Sequence, residues 1–363
     1  MVVTYQPTMA DLAQQVQIIP IGFDNGAGLG KICMGSGSGQ MRLRIPSKVW
    51  EIKGDLHDAL ISKEGGQFLY VAGDRQDLIG REFLTGKAAS DKAPTSCIKM
   101  SDDPALKVEY VLQALLGALS TLPHRTDWHL YLVPSIHNRK MFSEDIIKNL
   151  SGHHVINLPG KNIAPTRIKI EVPLVASEGA GSYAYAKREN LIDPAAHAIA
   201  LDFGTSTVIP VVFNTGGKVI YHQPLEIGGC IDLLEVIASD PELVSFLGTG
   251  KAGSIELIRQ GIESGLFRYD VRSRQGLRTL DYKPIYARHL KPWLSDRLRL
   301  GFKAVEEWRN EAQSFVAWGG GVEMPGVSQA LKSISITAVS SGCWANAIGL
   351  QRMAEGLLNR RNK

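Results

Sequence analysis

The fold is decided by residues 18–34, which read IIPIGFDNGAGLGKICM. Apolar residues lead into Asp24, a turn rich in glycine follows, and a second apolar run leads away, a pattern typical of a β-hairpin with an acid at its tip. Glycines let the backbone approach a ligand closely, and successive turn amides can bind phosphate. Because an acid beside bound phosphate would repel it, Asp24 indicates a Mg²⁺ between the two.

The same pattern returns in residues 196–213, AHAIALDFGTSTVIPVVF, where Asp202 takes the place of Asp24. A third strand is predicted after each hairpin, at residues 41–45 and at residues 218–222. We interpret the recurrence as an internal repeat of a fold unit; the alternative is coincidence, since Asp-x-Gly is common at hairpin tips. Strands and helices alternate along the chain, which predicts α/β layers.

The composition is that of an ordinary globular protein. The chain has 363 residues, enough for two domains, with 44% hydrophobic residues, 21% charged residues and a net charge of +4. This charge is too small to predict nucleic-acid binding. The four cysteines are far apart in sequence, which argues against a zinc site or a disulfide framework. With no signal-peptide pattern and no long apolar run, we expect a cytoplasmic protein without a membrane span.

Several predictions concern segments away from the two hairpins. Apolar spacing predicts one helix over residues 105–119 and a long helix within residues 285–312 that starts near Pro292. A strand over residues 128–133 is expected to end at Pro134. Residues 49–66 have no clear pattern, and residues 1–17 are interpreted as an extension of unknown role.

Three motifs resemble, in this order, the nucleotide-binding motifs of the actin superfamily. Residues 24–31 resemble the first phosphate loop of actin, residues 201–207 the second phosphate loop, and residues 318–326 the adenosine motif. The resemblance extends from residue 18 to the C-terminus. It implies an α/β, actin-like fold of two duplicated, RNase H-like domains with a nucleotide cleft between the halves. The predicted domains are residues 18–190 with 340–363, and residues 191–339.

Within that superfamily the chain is most similar to the ParM/StbA-type plasmid-segregation proteins. The similarity rests on Ile45-Pro46-Ser47, on residues 70–73 and on residues 177–181. It implies a filament-forming ATPase that polymerises head to tail on ATP and Mg²⁺, hydrolyses the ATP, and positions plasmid DNA through a separate DNA-binding adaptor, without direct DNA or membrane contact. Residues 49–66 occupy the place of the subunit-contact loop, with these predicted apolar contacts: Trp50, Leu56, Leu60 and Ile61.

The chemistry assigns roles to individual residues, because phosphoryl transfer depends mainly on positioning and charge neutralisation. Backbone amides of residues 25–30 and 204–207 would bind phosphates, Lys31 would supply positive charge, and Asp24 and Asp202 would hold hydrated Mg²⁺. The full predicted nucleotide-binding set is Asn25, Gly26, Ala27, Gly28, Lys31, Gly204, Thr205, Ser206, Thr207, Gly228, Gly229, Arg259, Glu263, Gly319, Gly320 and Gly321.

Glu178 is the predicted catalytic acid, together with Asp24 and Asp202 at the metal. The resemblance places Glu178 where ParM-like proteins carry the acid that orients the attacking water, and a carboxylate can do so by accepting a proton or aligning the water. Glu171 is the other candidate acid. Ala27 departs from the family pattern, because actin-type loops usually carry Ser or Thr there. Nucleotide binding through the backbone should survive, and how tightly this loop distinguishes ATP from ADP is left open.

Most of these assignments have a structural alternative. Asp24 is also an ordinary turn residue type, Lys31 suits a solvated strand, and Glu178 suits the start of a helix. Arg259 and Glu263 have the spacing of a surface ion pair on a helix. The glycine pair at residues 228–229 and the three glycines at residues 319–321 suit simple turns and caps.

Alternative functions remain open at this point. A small-molecule kinase of the same superfold is one, a cell-shape or organelle-positioning actin is another, and a chaperone fragment is a third. The base, ATP or GTP, is left open, because backbone-lined sites tolerate either.

Overall fold

The computed structural model describes residues 17–35, 39–54, 64–158, 163–273 and 276–362. By its internal contacts the chain divides into two compact units: unit 1 comprises Met1–Glu178 with Leu350–Lys363, and unit 2 comprises Gly179–Gly349. The chain thus passes between the units twice, after Glu178 and after Gly349. The boundaries predicted from sequence, after residues 190 and 339, stay predictions. Nearly all of the predicted N-terminal extension, residues 1–16, lies outside the described residues.

Unit 1 contains the first hairpin, a large mixed sheet and four helices among its described residues. Its elements in chain order are β1 Ile18–Asn25, β2 Leu29–Met34, β3 Met41–Pro46, β4 Lys48–Glu51, β5 Gln67–Gly73, β6 Glu82–Thr85, α1 Gly86–Lys92, β7 Ile98–Lys99, α2 Leu106–Glu109, α3 Val111–Ser120, β8 Asp127–Ile136, α4 Arg139–Leu150, β9 Gly152–Asn157, β10 Thr166–Glu171 and β11 Ala176–Ser177.

The sheet of unit 1 begins with the antiparallel series β3-β2-β1 and continues through β8, which runs parallel to β1. Strands β10 and β11 both pair in parallel with β8, one after the other along its length. The helix α3 has no exposed side, since all ten of its residues are buried in the core under the sheet. The single helix predicted over residues 105–119 is divided at Tyr110 into α2 and α3.

The strand predicted to end at Pro134 continues to Ile136, which corrects the sequence analysis. On one side of β8, pairing with β10 ends at Tyr131 and pairing with β11 begins at Ser135. Pro134 therefore lies where the ladder on that side is open, a position at which a residue without an N–H is tolerated. The extension matters because it carries Ser135 to the level of Asp24.

Unit 2 contains the second hairpin and seven helices among its described residues. Its elements are α5 Ala180–Arg188, β12 His197–Phe203, β13 Val208–Phe213, β14 Val219–His222, α6 Cys230–Ala238, α7 Pro241–Leu247, α8 Ile255–Glu263, β15 Arg268–Ser273, β16 Gly276–Asp281, α9 Lys283–Ala304, β17 Ala312–Trp318, α10 Val327–Ser333, β18 Thr337–Ala338 and α11 Gly342–Arg361, the last of which ends in unit 1.

The sheet of unit 2 repeats the arrangement of unit 1. Its order is β14-β13-β12-β17-β18, with an antiparallel series followed by two parallel neighbours. The corresponding series in unit 1 is β3-β2-β1-β8-β11. The internal repeat predicted from the two Asp hairpins is thus present in the topology of both sheets.

The long helix α9 begins at Lys283 rather than near Pro292, and Pro292 lies inside it. Pro284 occupies the first turn, where a missing N–H costs nothing, whereas a proline inside a helix removes one hydrogen bond. The burial of apolar residues on both sides of Pro292, including Ile285 and Trp293, offsets that loss. The long apolar stripe was a better guide to the start of this helix than the proline.

The structure describes part of residues 49–66, and their role as a subunit contact stays a prediction. Trp50 belongs to strand β4 and packs against a small buried cluster that includes Leu84 and Ala88. It is thus engaged in packing within unit 1, because the strand pairs with β6 and β7. The other predicted contact residues, Leu56, Leu60 and Ile61, lie outside the described residues.

Candidate functional site

The first hairpin brings Asp24 and Lys31 together. They are cross-strand partners in the β1–β2 pair, and Lys31 Nζ lies 3.3 Å from Asp24 Oδ2. The side chain of Lys31 is 17% exposed and that of Asp24 is 10% exposed, so their attraction is less screened than that of a surface pair. This places one negative and one positive group at the loop that sequence analysis assigned to phosphate.

Asn25 is almost fully buried next to this pair. Its Nδ2 donates to the main-chain oxygen of Lys107 at 2.7 Å. Its Oδ1 is buried without a hydrogen bond among the described residues. A buried acceptor without a donor is costly, and a water molecule would supply the missing donor. The arrangement fits a hydrated cation beside Asp24, because coordinated water donates hydrogen bonds to such acceptors.

Ser47 fixes the conformation of the loop at residues 26–28. Its Oγ donates to the main-chain oxygen of Gly26 at 2.6 Å, and its N–H donates to that of Gly28 at 3.0 Å. A Cβ on Gly26 would lie 2.7 Å from the main-chain oxygen of Leu29, so the close turn excludes a side chain there. The loop is thus held by contacts made behind it, which pre-forms its backbone.

The carboxyl ends of three parallel strands meet beside Asp24. Asp24 pairs with Ser135, and Ser135 pairs with Ala176 on the next strand. Ser135 Oγ lies 3.5 Å from Asp24 Oδ1. Glu178 follows β11 directly, and its N–H donates to the main-chain oxygen of Ile136 at 3.1 Å. In α/β sheets this edge is the usual place for ligands, and the structure assembles Asp24 and Glu178 there within unit 1.

Lys107 joins the same group and was missed by the sequence analysis. Its Nζ lies 2.9 Å from Glu178 Oε1, and the lysine side chain is only 8% exposed. The residue lies in the four-residue helix α2, where the sequence offers nothing but an apolar stripe to mark it. It is 71 residues from Glu178, so only the fold reveals the pair.

Glu171, the other candidate acid, is engaged elsewhere. It is bound by His129 at 2.8 Å, by Lys169 at 2.9 Å and by Arg361 near the end of α11. Partial burial tends to raise the pKa of Glu171, but the hydrogen bonds from these three side chains outweigh it and lower the pKa to about 2. Such a carboxylate acts as a fixed anion and not as a proton acceptor near neutral pH.

The second hairpin places Asp202 opposite Ile209 and beside Trp318. The loop that follows is closed by its own main chain, since the N–H of Gly204 donates to the oxygen of Thr207 at 2.9 Å. The Gly204 amide, which was predicted to bind phosphate, joins the two ends of the loop instead. The exposed part of the loop starts at Thr205.

The Gly228-Gly229 turn packs directly behind this loop. A Cβ on Gly229 would lie 2.4 Å from the main-chain oxygen of Gly204, so no side chain fits. Two residues of α9 hold the turn: Trp293 Nε1 donates to the oxygen of Gly229 at 3.1 Å, and Arg297 Nε donates to that of Gly228 at 3.2 Å. These two supporting residues were not predicted.

The three glycines at the end of β17 meet the end of β12. Gly319 has a φ of +89°, and a Cβ there would lie 2.5 Å from the main-chain oxygen of Phe203 and 2.6 Å from Asp202 Oδ1. A Cβ on Gly321 would be 2.6 Å from Cβ of Phe203, whereas Gly320 faces open space. Unit 2 thus brings the predicted adenosine turn into contact with Asp202, with Gly320 as the accessible position.

Arg259 and Glu263 form the i,i+4 ion pair that was the structural alternative for these residues. Arg259 also binds Glu256 at 2.7 Å, so its guanidinium is engaged along the exposed side of α8. The hydrogen bonds that Arg259 donates to Glu256 raise the pKa of Arg259 above its ordinary value, despite partial burial. A role for the pair in binding the base stays a prediction.

Within the described ranges, no three His, Cys, Asp or Glu side chains are grouped so as to hold a metal ion directly. A Mg²⁺ at Asp24 would therefore take ligands from water and phosphate, which is the usual coordination of Mg²⁺ with nucleotides. The hard oxygen donors present, the carboxylate of Asp24 and the hydroxyl of Ser135, suit that ion.

Comparisons with known proteins match by structure alone: no family model and no curated protein matches the sequence. An archaeal actin homologue is similar over 93% of this chain and 99% of its own, with a TM-score of 0.71 and 16% identity. ParM from Bacillus thuringiensis covers 97% of this chain and 98% of its own, with a TM-score of 0.61 and 14% identity. A ParM from a 15-stranded Clostridium botulinum filament covers 94% of this chain and 100% of its own, with a TM-score of 0.65 and 16% identity.

These likenesses identify the class of fold. The chain has the actin-like fold, as its motifs predicted, and it matches the full length of the compared chains. The archaeal homologue has also been solved in complex with ADP, at a TM-score of 0.66 to this chain. In the parts of the chain that the structure describes, no helix is both long and apolar enough to cross a membrane.

Proposed function

We propose that this protein is a nucleotide-dependent, filament-forming ATPase of the ParM type. The observation that carries the proposal is the occurrence of two hairpins at corresponding positions of two repeated sheets, each with an aspartate before a glycine loop that is fixed from behind.

The residues of unit 1 carry the chemistry of this proposal. The loop amides at residues 26–28 and the ammonium of Lys31 bind phosphate oxygens, and Glu178 aligns the attacking water. A Mg²⁺ bound through water near Asp24 would neutralise phosphate charge as the bond to the γ-phosphate breaks. Ala27 contributes no hydroxyl, so binding of the γ-phosphate relies on main-chain amides and Lys31.

The residues of unit 2 complete the nucleotide-binding set. Thr205, Ser206 and Thr207 are the predicted phosphate-binding residues of unit 2, and Asp202 is its predicted metal-binding carboxylate. Gly320 provides the open surface against which a base can lie, because no atom lies within 4 Å of a Cβ built there. This backbone-lined surface does not by itself select adenine over guanine, so GTP is a second substrate to be tested.

Polymerisation and cargo are the finer parts of the proposal. Two observations support polymerisation. The chain shares its fold with a ParM that forms filaments, and the match covers the whole of that ParM chain. Head-to-tail contacts that do not close into a ring produce such filaments. We propose that the filament positions plasmid DNA in the cytoplasm through a DNA-binding adaptor, because a net charge of +4 provides little for direct DNA binding.

Sedimentation of the purified protein tests the proposal. Pelletable polymer is expected with ATP and Mg²⁺, less with ADP, and none without nucleotide, and phosphate release should follow polymerisation. A variant with Asp24→Asn and Asp202→Asn should remain monomeric under all conditions. Hydrolysis without polymer at any protein concentration would reject the filament and favour a small-molecule kinase; absence of nucleotide binding would reject the whole proposal.

A further inference from the structure

Lys107 makes two contacts that converge on the candidate catalytic edge of unit 1. Its main-chain oxygen accepts a hydrogen bond from Asn25 at 2.7 Å, and its Nζ donates to Glu178 Oε1 at 2.9 Å. Asn25 is the residue after Asp24 in the first hairpin. One residue thus links the phosphate hairpin to the carboxylate that follows β11.

The main chain of Lys107 is held rigidly enough to act as a support. The oxygen of the next residue, Val108, accepts a hydrogen bond from Asn149 Nδ2 at 2.9 Å. The amides of Asn25 and Asn149 therefore bind consecutive carbonyl groups of the short helix α2. A carbonyl that is already fixed by a side chain loses no conformational entropy when a ligand binds, because its position is set beforehand.

The carboxylate of Glu178 has little other restraint. Its main chain is fixed by one hydrogen bond to Ile136, and it is followed by Gly179, which has a φ of +81°. Among the described residues, Lys107 is the one side chain bonded to this carboxylate. That bond uses Oε1, which leaves Oε2 for a water molecule. A side chain with three rotatable bonds needs such a contact to hold a water in line with a reacting bond.

We infer that Lys107 is the positioning residue for Glu178, an inference that rests on the proposed ATPase function. Lys107 orients the carboxylate through its ammonium while its carbonyl keeps Asn25, and with it the phosphate hairpin, at a fixed distance from that carboxylate. It acts through Glu178 and not through the nucleotide. Its loss should therefore slow hydrolysis without weakening nucleotide binding.

The test replaces Lys107 with methionine, which keeps the length and apolar stem of the side chain and removes the ammonium. Single-turnover phosphate release should fall about 10²-fold, the size of loss expected when a catalytic group is displaced by about 1 Å. The Kd for a fluorescent ATP analogue should stay within about threefold of the wild-type value, since uniform binding is untouched. Lys107→Arg should recover part of the rate, because it restores a cation with different geometry.

Two controls separate positioning from a general effect on structure. Lys87→Met removes a lysine–carboxylate pair of similar length, 2.7 Å to Asp91, on the exposed surface of α1, and should change neither rate nor affinity. In a variant with both Lys107→Met and Glu178→Gln, the rate should be no lower than with Glu178→Gln alone, because the two residues act as a unit. Melting temperatures without nucleotide should show the same non-additivity.

The possible outcomes discriminate. If the wild type hydrolyses ATP and Lys107→Met does so at the same rate, the inference is overturned. A tenfold or greater loss of nucleotide affinity in Lys107→Met also overturns it, because it would mean that Lys107 contacts phosphate itself. If Lys107→Met does not fold, Lys107→Arg must show slower hydrolysis at unchanged affinity. If the wild type neither binds nor hydrolyses ATP, the proposed function fails instead, while the melting measurements still report whether the two side chains are coupled.

Discussion

The two hairpins share their topology but differ in what faces the aspartate. Asp24 has Lys31 across the strand pair and Ser135 on the parallel neighbour, whereas Asp202 has Ile209 and Trp318 in the same places. The first site is therefore built from charged and polar side chains. The second is built from apolar neighbours and from glycines that let the backbone approach Asp202.

The supports behind the two loops differ in the same way. The first loop is held by one residue, Ser47, whose hydroxyl donates to Gly26 and whose N–H donates to Gly28. The second is held by another glycine turn, at residues 228–229, which is itself fixed by Trp293 and Arg297 from α9. The two units thus share one strand order, in which charged and polar side chains surround Asp24 whereas glycine turns approach Asp202.

The glycine side of this comparison should show the largest effect on mutation. In Gly319→Ala a Cβ meets Phe203 and Asp202 at a φ of +89°, so we expect a loss of about 1–3 kcal/mol of unfolding free energy and little remaining nucleotide affinity. Urea unfolding and binding of a fluorescent nucleotide measure both quantities.

Gly320→Ala is the matched control for Gly319→Ala. No atom lies within 4 Å of a Cβ at residue 320, so its stability should stay within about 0.5 kcal/mol of wild type. If the two variants were equally stable, close packing at Gly319 would not be what the second hairpin depends on.

Lys31→Met tests the charged side chains of the first hairpin. Loss of one charge-assisted contact to phosphate should weaken binding of a nucleoside triphosphate about tenfold, which corresponds to about 1.4 kcal/mol. Ile209→Met, at the same place in the second hairpin, should leave binding unchanged. Equal losses in both variants, measured by titration calorimetry, would contradict the assignment of the phosphate charge to unit 1 alone.

The sequence predicted these hairpins because their signals are local. Alternating apolar residues, an aspartate and a glycine turn lie within about 15 residues of one another, and the fold confirms the repeat that they indicated. The element boundaries predicted at Pro134 and Pro292 were wrong, since both prolines are tolerated within regular elements for reasons that depend on neighbouring strands or on buried side chains.

The supporting residues could not be predicted in this way. Ser135 meets Asp24 across 111 positions of sequence, and Lys107 meets Glu178 across 71. Neither residue belongs to a sequence motif. A supporting residue can come from any element that the fold brings close to the site, so its position in the sequence carries no local signal. The roles assigned to the site residues toward a nucleotide stay predictions that the experiments above address.

A smaller effect, on stability at low pH, is expected from a carboxylate cluster of unit 1. Glu171 of unit 1 has its pKa lowered to about 2 by hydrogen bonds from Lys169, His129 and Arg361, which outweigh the effect of burial. A carboxyl whose folded pKa is depressed stabilises the protein above its unfolded pKa, near 4.3, and this stabilisation is lost as the pH falls from about 5 toward 2. Because the cluster is partly exposed, we expect it to contribute about 1 kcal/mol at neutral pH.

Glu171→Gln should remove that contribution and flatten the loss of stability on acidification, as measured by urea unfolding at pH 7 and at pH 4. Glu311→Gln, which changes an exposed carboxylate of unit 2 that lies 3.8 Å from His197, is the control and should follow the wild-type profile. Since Arg361 ties the end of α11 to β10 through this cluster, the glutamine variant should also exchange the amide hydrogens of the last helical turn faster. Unchanged exchange would mean that packing of α11, and not its charge contact with Glu171, holds the end of the helix in unit 1.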